Sequence, residues 1–212
     1  MFSERVQSRG AKREATRDRV LLAAERLFRD QGFGATTVRQ IAAEAEVSTG
    51  TVMSAGDKDA LLVAIFDSWI DAVHRARAHE NGDTSASASP PAPPPLSPDA
   101  AVDAVMDLVA PFVQYFARDE DLSRQYAAVI VRGTHESAIF QELARSLTAE
   151  FTGVLARAGL AGDDRERGAR AVYYAYLGVL MTVSHGALDE AGALDQVREV
   201  TGFVTGRAGG AA

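Results

Sequence analysis

An all-α fold is predicted by three observations. Apolar residues recur at helical spacing along most of the chain, and no alternating apolar/polar run is long enough for a strand. Six of the seven prolines fall together within residues 81–98, so the helix-breaking residues interrupt the pattern in one place. The chain has 212 residues, 47% of them hydrophobic, which suits a small module followed by a larger domain with its own core. We place the module at residues 10–76, a Pro/Ser/Ala-rich connector at 80–98, and a second helical domain at 99–212.

The first helix is carried by RVLLAAERLFRDQGF, with Gly32 as its stop. Ahead of it, Arg5, Arg9, Lys12, Arg13 and Arg17 form a loose basic arm, diluted by Glu4, Glu14 and Asp18. Such an arm either lies along phosphates or in a minor groove, or is a frayed, solvated terminus. Thr37 followed by Gln40 is a capping box, and Val38, Ile41, Ala42 and Ala45 share one face of a short helix. Val47 plugs the turn that follows, and Ser48 is a good N-cap for a second short helix ending at Gly56. Asp57 caps a longer helix reaching about His79, with the stripe Leu61, Leu62, Ile65, Phe66, Trp69, Ile70 and Val73. Two short helices, a tight turn and a third helix form a helix-turn-helix, whose second member can present its N-terminal residues to base edges.

The stretch NGDTSASASPPAPPPLSP admits no helix or central strand and reads as a mobile or polyproline-like connector. Ser97 and Pro98 then cap a helix with Val102, Val105, Leu108, Val109, Phe112 and Phe116, in which Pro111 should introduce a kink. A helix over 122–132 stops at Gly133, and another over 136–158 stops at Gly159. The helix over 164–185 carries a narrow small-residue face, Gly168, Ala171, Ala175, Gly178 and Thr182, beside an apolar strip. After Gly186, Leu194, Val197, Val200, Thr201, Phe203 and Val204 give a last amphipathic helix.

Three blocks in register, RVLLAAERLFRDQGF, TTVRQIAAEAEVSTGTV and DKDALL, resemble the N-terminal domain of the TetR family of bacterial transcriptional regulators, over residues 13–71. The sequence departs from that family twice. Glu46 stands where the family prefers glycine, at a turn position favouring positive φ. Met53, Ser54, Ala55 and Gly56 replace the aromatic end of the reading helix, in a segment about one residue short. The resemblance implies phosphate contacts from Thr37 and Lys58, with Ser48 at the start of the reading helix. Base contacts are expected from Arg39, Thr49, Thr51 and Met53, the alternatives being a solvated Arg39 and a core Met53. It further implies that the last two helices form a dimer interface, here through Ala171, Ala175, Gly178, Thr182, Val197, Val200 and Val204, unless they pack within one subunit. A two-fold dimer is expected on independent grounds, since one short reading helix makes few base contacts and two engage two half-sites.

Phe112, Tyr115, Tyr126, Phe151 and Tyr174 either line a cavity for a small hydrophobic effector or pack the core. His135 with Glu136 falls short of the three or four donors of a metal site, and with no cysteine in the chain we expect neither a metal nor a cofactor. His74, His79, His185, Ser184 and Asp189 lack the spacing of a nucleophile motif, and no phosphate loop occurs, so an enzyme is not expected. Net charge is -7, but residues 1–60 hold ten basic and nine acidic residues against twelve and twenty in the remainder. The acidic excess therefore lies away from the reading head, and the net charge argues against a general nucleic-acid coat protein. No signal peptide or run of eighteen apolar residues is present, so a cytoplasmic protein without a membrane partner is expected. The expectation is a homodimeric regulator, a repressor of a palindromic DNA operator released by a small-molecule effector. The alternative is a ligand-binding helical dimer with degraded or atypical DNA binding.

Overall fold

A computed structural model describes residues 2–82, 93–135 and 137–206. These form nine helices and, among the described residues, no strand: α1 (Phe2–Gln31), α2 (Val38–Glu44), α3 (Thr49–Ala55), α4 (Lys58–Gly82), α5 (Pro98–Arg118), α6 (Glu120–Arg132), α7 (Ala138–Arg157), α8 (Gly162–Ser184) and α9 (Glu190–Gly206). Two boundaries differ from the sequence reading. The positions read as a loose basic arm continue the backbone of α1 from Phe2, and Asn81 and Gly82 end α4 rather than begin a connector. Residues 83–92, most of the expected connector, lie outside the described residues.

The chain divides into two compact units, Met1–Trp69 with Arg124–Ser137, and Ile70–Ser123 with Ala138–Ala212. The first is not the contiguous 10–76 module read from sequence, because α4 is divided after Trp69 and α6 joins the first unit from far along the chain.

In the first unit, α2 and α3 have seven residues each, too short to persist without external support. Their apolar sides supply it: Ile41 and Val52 are fully buried with Val20, Ala24 and Phe28 of α1 and Leu61, Leu62 and Phe66 of α4. Their ends are closed by side chains. Thr37 accepts from the Gln40 amide while the Gln40 side chain accepts from the Thr37 amide, the reciprocal box the sequence announces. Ser48 accepts from the Thr51 amide, and Asp57 from the Ala60 amide at the start of α4. Each such cap contributes about 1 kcal/mol.

The turn between α2 and α3 is a Schellman closure. The Val47 amide donates to Ala42 O at 2.9 Å and the Glu46 amide to Ala43 O at 3.2 Å. This places Glu46 at φ 54, the sole positive φ among the described non-glycine residues. The turn anticipated at this position therefore forms, with a Cβ where glycine would be unstrained.

Residues some 70 positions apart join α4 to α6 and the turn after it. Tyr126 stacks on Phe66 with ring centroids 4.2 Å apart and planes 9° from parallel. Arg132 pairs with Asp59 at 3.2 Å, His135 Nε2 lies 3.3 Å from Asp57 Oδ1, and the Ser137 hydroxyl donates to Asp67 at 2.5 Å. Burial pushes the Asp67 carboxyl above its ordinary value of 3.8, against the opposing effects of the Ser137 hydrogen bond and the charge of Arg17. Burial also raises the Tyr126 phenol, with the Asp67 charge acting in the same direction.

In the second unit α5 is central, packed on α7, α8 and α9. Ser97 caps it, Pro98 opens it, and Val105, Val109, Phe112, Val113 and Phe116 are buried along one side. Pro111 lies inside the helix. By length and composition alone α5 could cross a membrane; here it serves as the core helix of its unit. Immediately before α5 the chain is tied to the end of α7, with the Leu96 amide donating to Arg157 O at 2.8 Å and Arg157 Nε donating to Pro94 O at 3.0 Å. Gly168 lets α8 approach α7 and α9 closely, because a Cβ there would meet Val204 Cγ1 at 2.8 Å and Leu155 Cδ1 at 3.1 Å.

Replacing Glu46 by glycine is expected to raise unfolding stability by about 1 kcal/mol, the cost of an L side chain in the left-handed region, as read from denaturant midpoints. The raised Asp67 carboxyl destabilises the fold once pH climbs through its folded pKa, because the native state then gives up a proton it binds more tightly than the unfolded chain does. Asp67→Asn should therefore exceed the parent in stability at pH 7, with the difference shrinking towards pH 4. Matched denaturation curves at the two pH values check this.

Candidate nucleic-acid interface

The sides of α2 and α3 not committed to the core form one exposed surface. On α3, Val52 takes the core position, leaving Thr49, Gly50, Met53 and Ser54 exposed, with Met53 retaining 53% of its accessible area. The core alternative for Met53 is thus set aside by the period of the helix. Thr51 is half-buried, its hydroxyl 2.9 Å from that of Ser48, so both are engaged in opening the helix. Ser54 donates to Gly50 O at 2.8 Å. On α2, Arg39 is exposed and makes no ion pair among the described residues. Thr37 is exposed too, its hydroxyl 2.7 Å from Gln40 Oε1.

Lys58 is arranged differently from a side chain extended towards solvent. Its ammonium donates to Phe33 O at 2.8 Å and Thr36 O at 3.0 Å and lies 4.4 Å from the centre of the Phe33 ring. The sequence expectation of a phosphate-binding ammonium thus falls on a group already engaged in tying the turn before α2 to the start of α4. Beneath that turn Thr36 is buried, its hydroxyl 2.9 Å from Gly32 O and 3.1 Å from Leu27 O.

Of the five aromatic residues read as a candidate pocket, one belongs to the first unit and four to the second. Tyr126 belongs to the first unit, against Phe66. Within the second, Phe112 and Phe151 are buried in the core, Phe112 meeting Tyr176 edge-on with centroids 6.5 Å apart. Tyr115 is half-buried beside Phe116. Tyr174 is 66% exposed and borders an open groove of about 640 Å³ between α7 and α8, together with Arg145, Thr148, Arg170 and Tyr173. Sequence reasoning did not single out these two arginines, because exposed arginines on amphipathic helices carry no local signal.

The seven residues read as a dimer interface also separate. Ala171 and Gly178 are exposed and Ala175 and Thr182 half-buried, an outward stripe of small side chains on α8. Val197 is fully buried inside the subunit, so it cannot meet a partner; Val200 and Val204 are half-buried, and Val204 packs over Gly168. The exposed apolar group of α9 is Phe203, with 66% of its surface accessible. Among the described residues no cluster of three metal-ligating side chains occurs. His135 meets Asp57, and Glu136 lies outside the described residues.

Residues 20–65 match the family described as bacterial regulatory proteins, tetR family. Over 59 residues the chain is 42% identical to the HTH-type transcriptional regulator HbdR of Aromatoleum sp. (strain CIB), an alignment covering 27% of this chain and 26% of that relative. Among solved structures, FadR of Thermus thermophilus, a TetR family transcriptional repressor in complex with lauroyl-CoA, superimposes with a TM-score of 0.60 at 21% identity, over 87% of this chain and 92% of that one. A TetR transcription regulator from Haloarcula marismortui also gives 0.60, at 18% identity, over 92% and 98% of the two chains. Those likenesses concern the fold of nearly the whole chain, and the family match falls on the segment containing the two capped short helices. Residues 20–65 thus resemble the helix-turn-helix segment of the tetR family, and the chain shares the fold of solved TetR regulators.

Proposed function

We propose that the protein is a dimeric, ligand-responsive repressor that binds a palindromic DNA operator. The observation that carries this reading is the exposed surface of α2 and α3: Arg39, Thr49, Gly50 and Met53 face outward from helices whose remaining sides and ends are committed to packing and caps. Arg39 can pair bidentately with guanine, and Thr49 and Met53 can touch a thymine methyl. Thr37, Ser48 and Lys58 act around them, contacting phosphate through what their internal hydrogen bonds leave available, while Thr51, expected to read a base, has its hydroxyl held by Ser48. TetR family members are DNA-binding regulators rather than enzymes, which agrees with the lack of a catalytic motif in the sequence.

Two reading heads match neighbouring major grooves only near a spacing of about 34 to 36 Å, so dimer geometry controls affinity. The outward stripe of α8, with Tyr174 and with Phe203 of α9, supports a symmetric contact with a second copy. Effector binding in the second unit would change head spacing; coupling of about 1 to 3 kcal/mol would alter operator affinity about 5- to 150-fold. FadR, of like fold, was solved with lauroyl-CoA, and an amphipathic or hydrophobic effector is proposed here by that analogy of fold. On this reading the protein works in the cytoplasm, where its operator would be.

Gel shifts with the DNA upstream of the protein's own gene test the reading. Arg39→Ala and Thr49→Ala should each cut the preference for that fragment over scrambled duplex by roughly 5- to 150-fold, the worth of one good base contact. Unchanged preference in both variants would favour the ligand-binding dimer without specific DNA recognition. For assembly, Gly178→Arg is informative because nothing in the subunit lies within 4 Å of the added Cβ. The variant should keep its helix content yet sediment as a monomer at micromolar concentration; a persisting dimer would move the interface elsewhere.

A further inference from the structure

A groove of about 490 Å³ runs between α1 and α3 in the first unit, lined by Arg13, Glu14 and Arg17 on one side and Thr51, Ser54 and Ala55 on the other. It lies beside the exposed face of the reading helix and takes no part in the base contacts proposed above.

The disposition of cations in this unit suggests its use. Arg26 pairs with Glu44, Arg29 pairs with Glu25 and covers the Trp69 ring at 4.5 Å, Arg132 pairs with Asp59, and Lys58 holds two carbonyls. Arg13 and Arg17 are exposed and make no ion pair among the described residues. They are one turn apart on α1 and so stand side by side on the flank facing α3. Arg19, two residues further on, lines a different groove with Leu22 and Glu44. Glu14 borders the same groove, so its lining carries two positive charges against one negative, and the charge of Arg17 also acts on the Asp67 carboxyl without an ion pair. Across from the arginines, Ser54 donates to Gly50 O and the Thr51 hydroxyl is held by Ser48, leaving the guanidinium groups as donors to an incoming anion. The small side chain of Ala55 keeps the end of α3 open beside them.

We propose that this groove seats the sugar-phosphate backbone of the duplex whose major groove α3 enters, with Arg13 and Arg17 as its phosphate-binding residues. The proposal rests on the DNA-binding reading and adds to it an anchoring role for α1. Phosphate neutralisation gives affinity without sequence preference and a salt dependence of about 0.9 in log K per log salt for each phosphate.

The test is a salt titration of binding to the gene's own upstream duplex and to a scrambled duplex. The proteins are the parent, Arg13→Gln/Arg17→Gln, each single variant, and Arg19→Gln as a charge-matched control. The double variant should bind both duplexes at least about tenfold more weakly at 0.1 M salt, with a slope shallower by about two per engaged head, and each single variant by about one. Arg19→Gln should keep the parent slope. Should the double variant lose helix content, the two single variants decide. A parent slope in the arginine variants, or an equal loss in Arg19→Gln, overturns the groove assignment while leaving the DNA-binding reading intact. Failure of the parent to bind either duplex overturns both.

Discussion

Two helices of seven residues cannot hold their own shape in water, and the first unit is organised around that constraint. Nucleating a helix fixes several backbone angles before one hydrogen bond is gained, so at this length neighbours must provide the stabilisation. Ile41 and Val52 supply the apolar anchorage, Thr37 and Ser48 close the free amides, and the Lys58 ammonium binds the carbonyls just ahead of α2. Little of the two helices is then left over except one outward face. That residue of unused surface, rather than any single side chain, is why the segment reads as an interface.

Much of this arrangement was legible in the sequence because its causes are local. Capping pairs lie three residues apart, stop glycines lie next to the helices they end, and Gly32, Gly133, Gly159 and Gly186 all take positive φ at helix ends. The strained turn was legible for the same reason, since the closure at Glu46 involves only Ala42 to Val47. Contacts between distant residues were not. Nothing near His135, Arg132 or Ser137 says that their partners are Asp57, Asp59 and Asp67, and that pairing is what gathers α6 into the first unit.

The division of an amphipathic helix between core and outward surface was the other limit. Helical periodicity gives the width of the apolar stripe on α9 but does not say which edge its own subunit covers. Val197 proved to be inside and Phe203 outside, six positions apart in one stripe. Aromatic residues pose the same ambiguity between core and ligand wall. Tyr126, Phe112 and Phe151 are large enough to suggest a ligand wall, and their burial accords with the core-packing alternative.

The short tie between Leu96 and Arg157 carries a consequence for how the second unit begins. A main-chain hydrogen bond to the end of α7, backed by the guanidinium on Pro94, establishes the starting point of α5 from within that unit. The register of the central helix is therefore indexed to its own surroundings, so a change in the number of residues before Pro94 should leave the core unrotated.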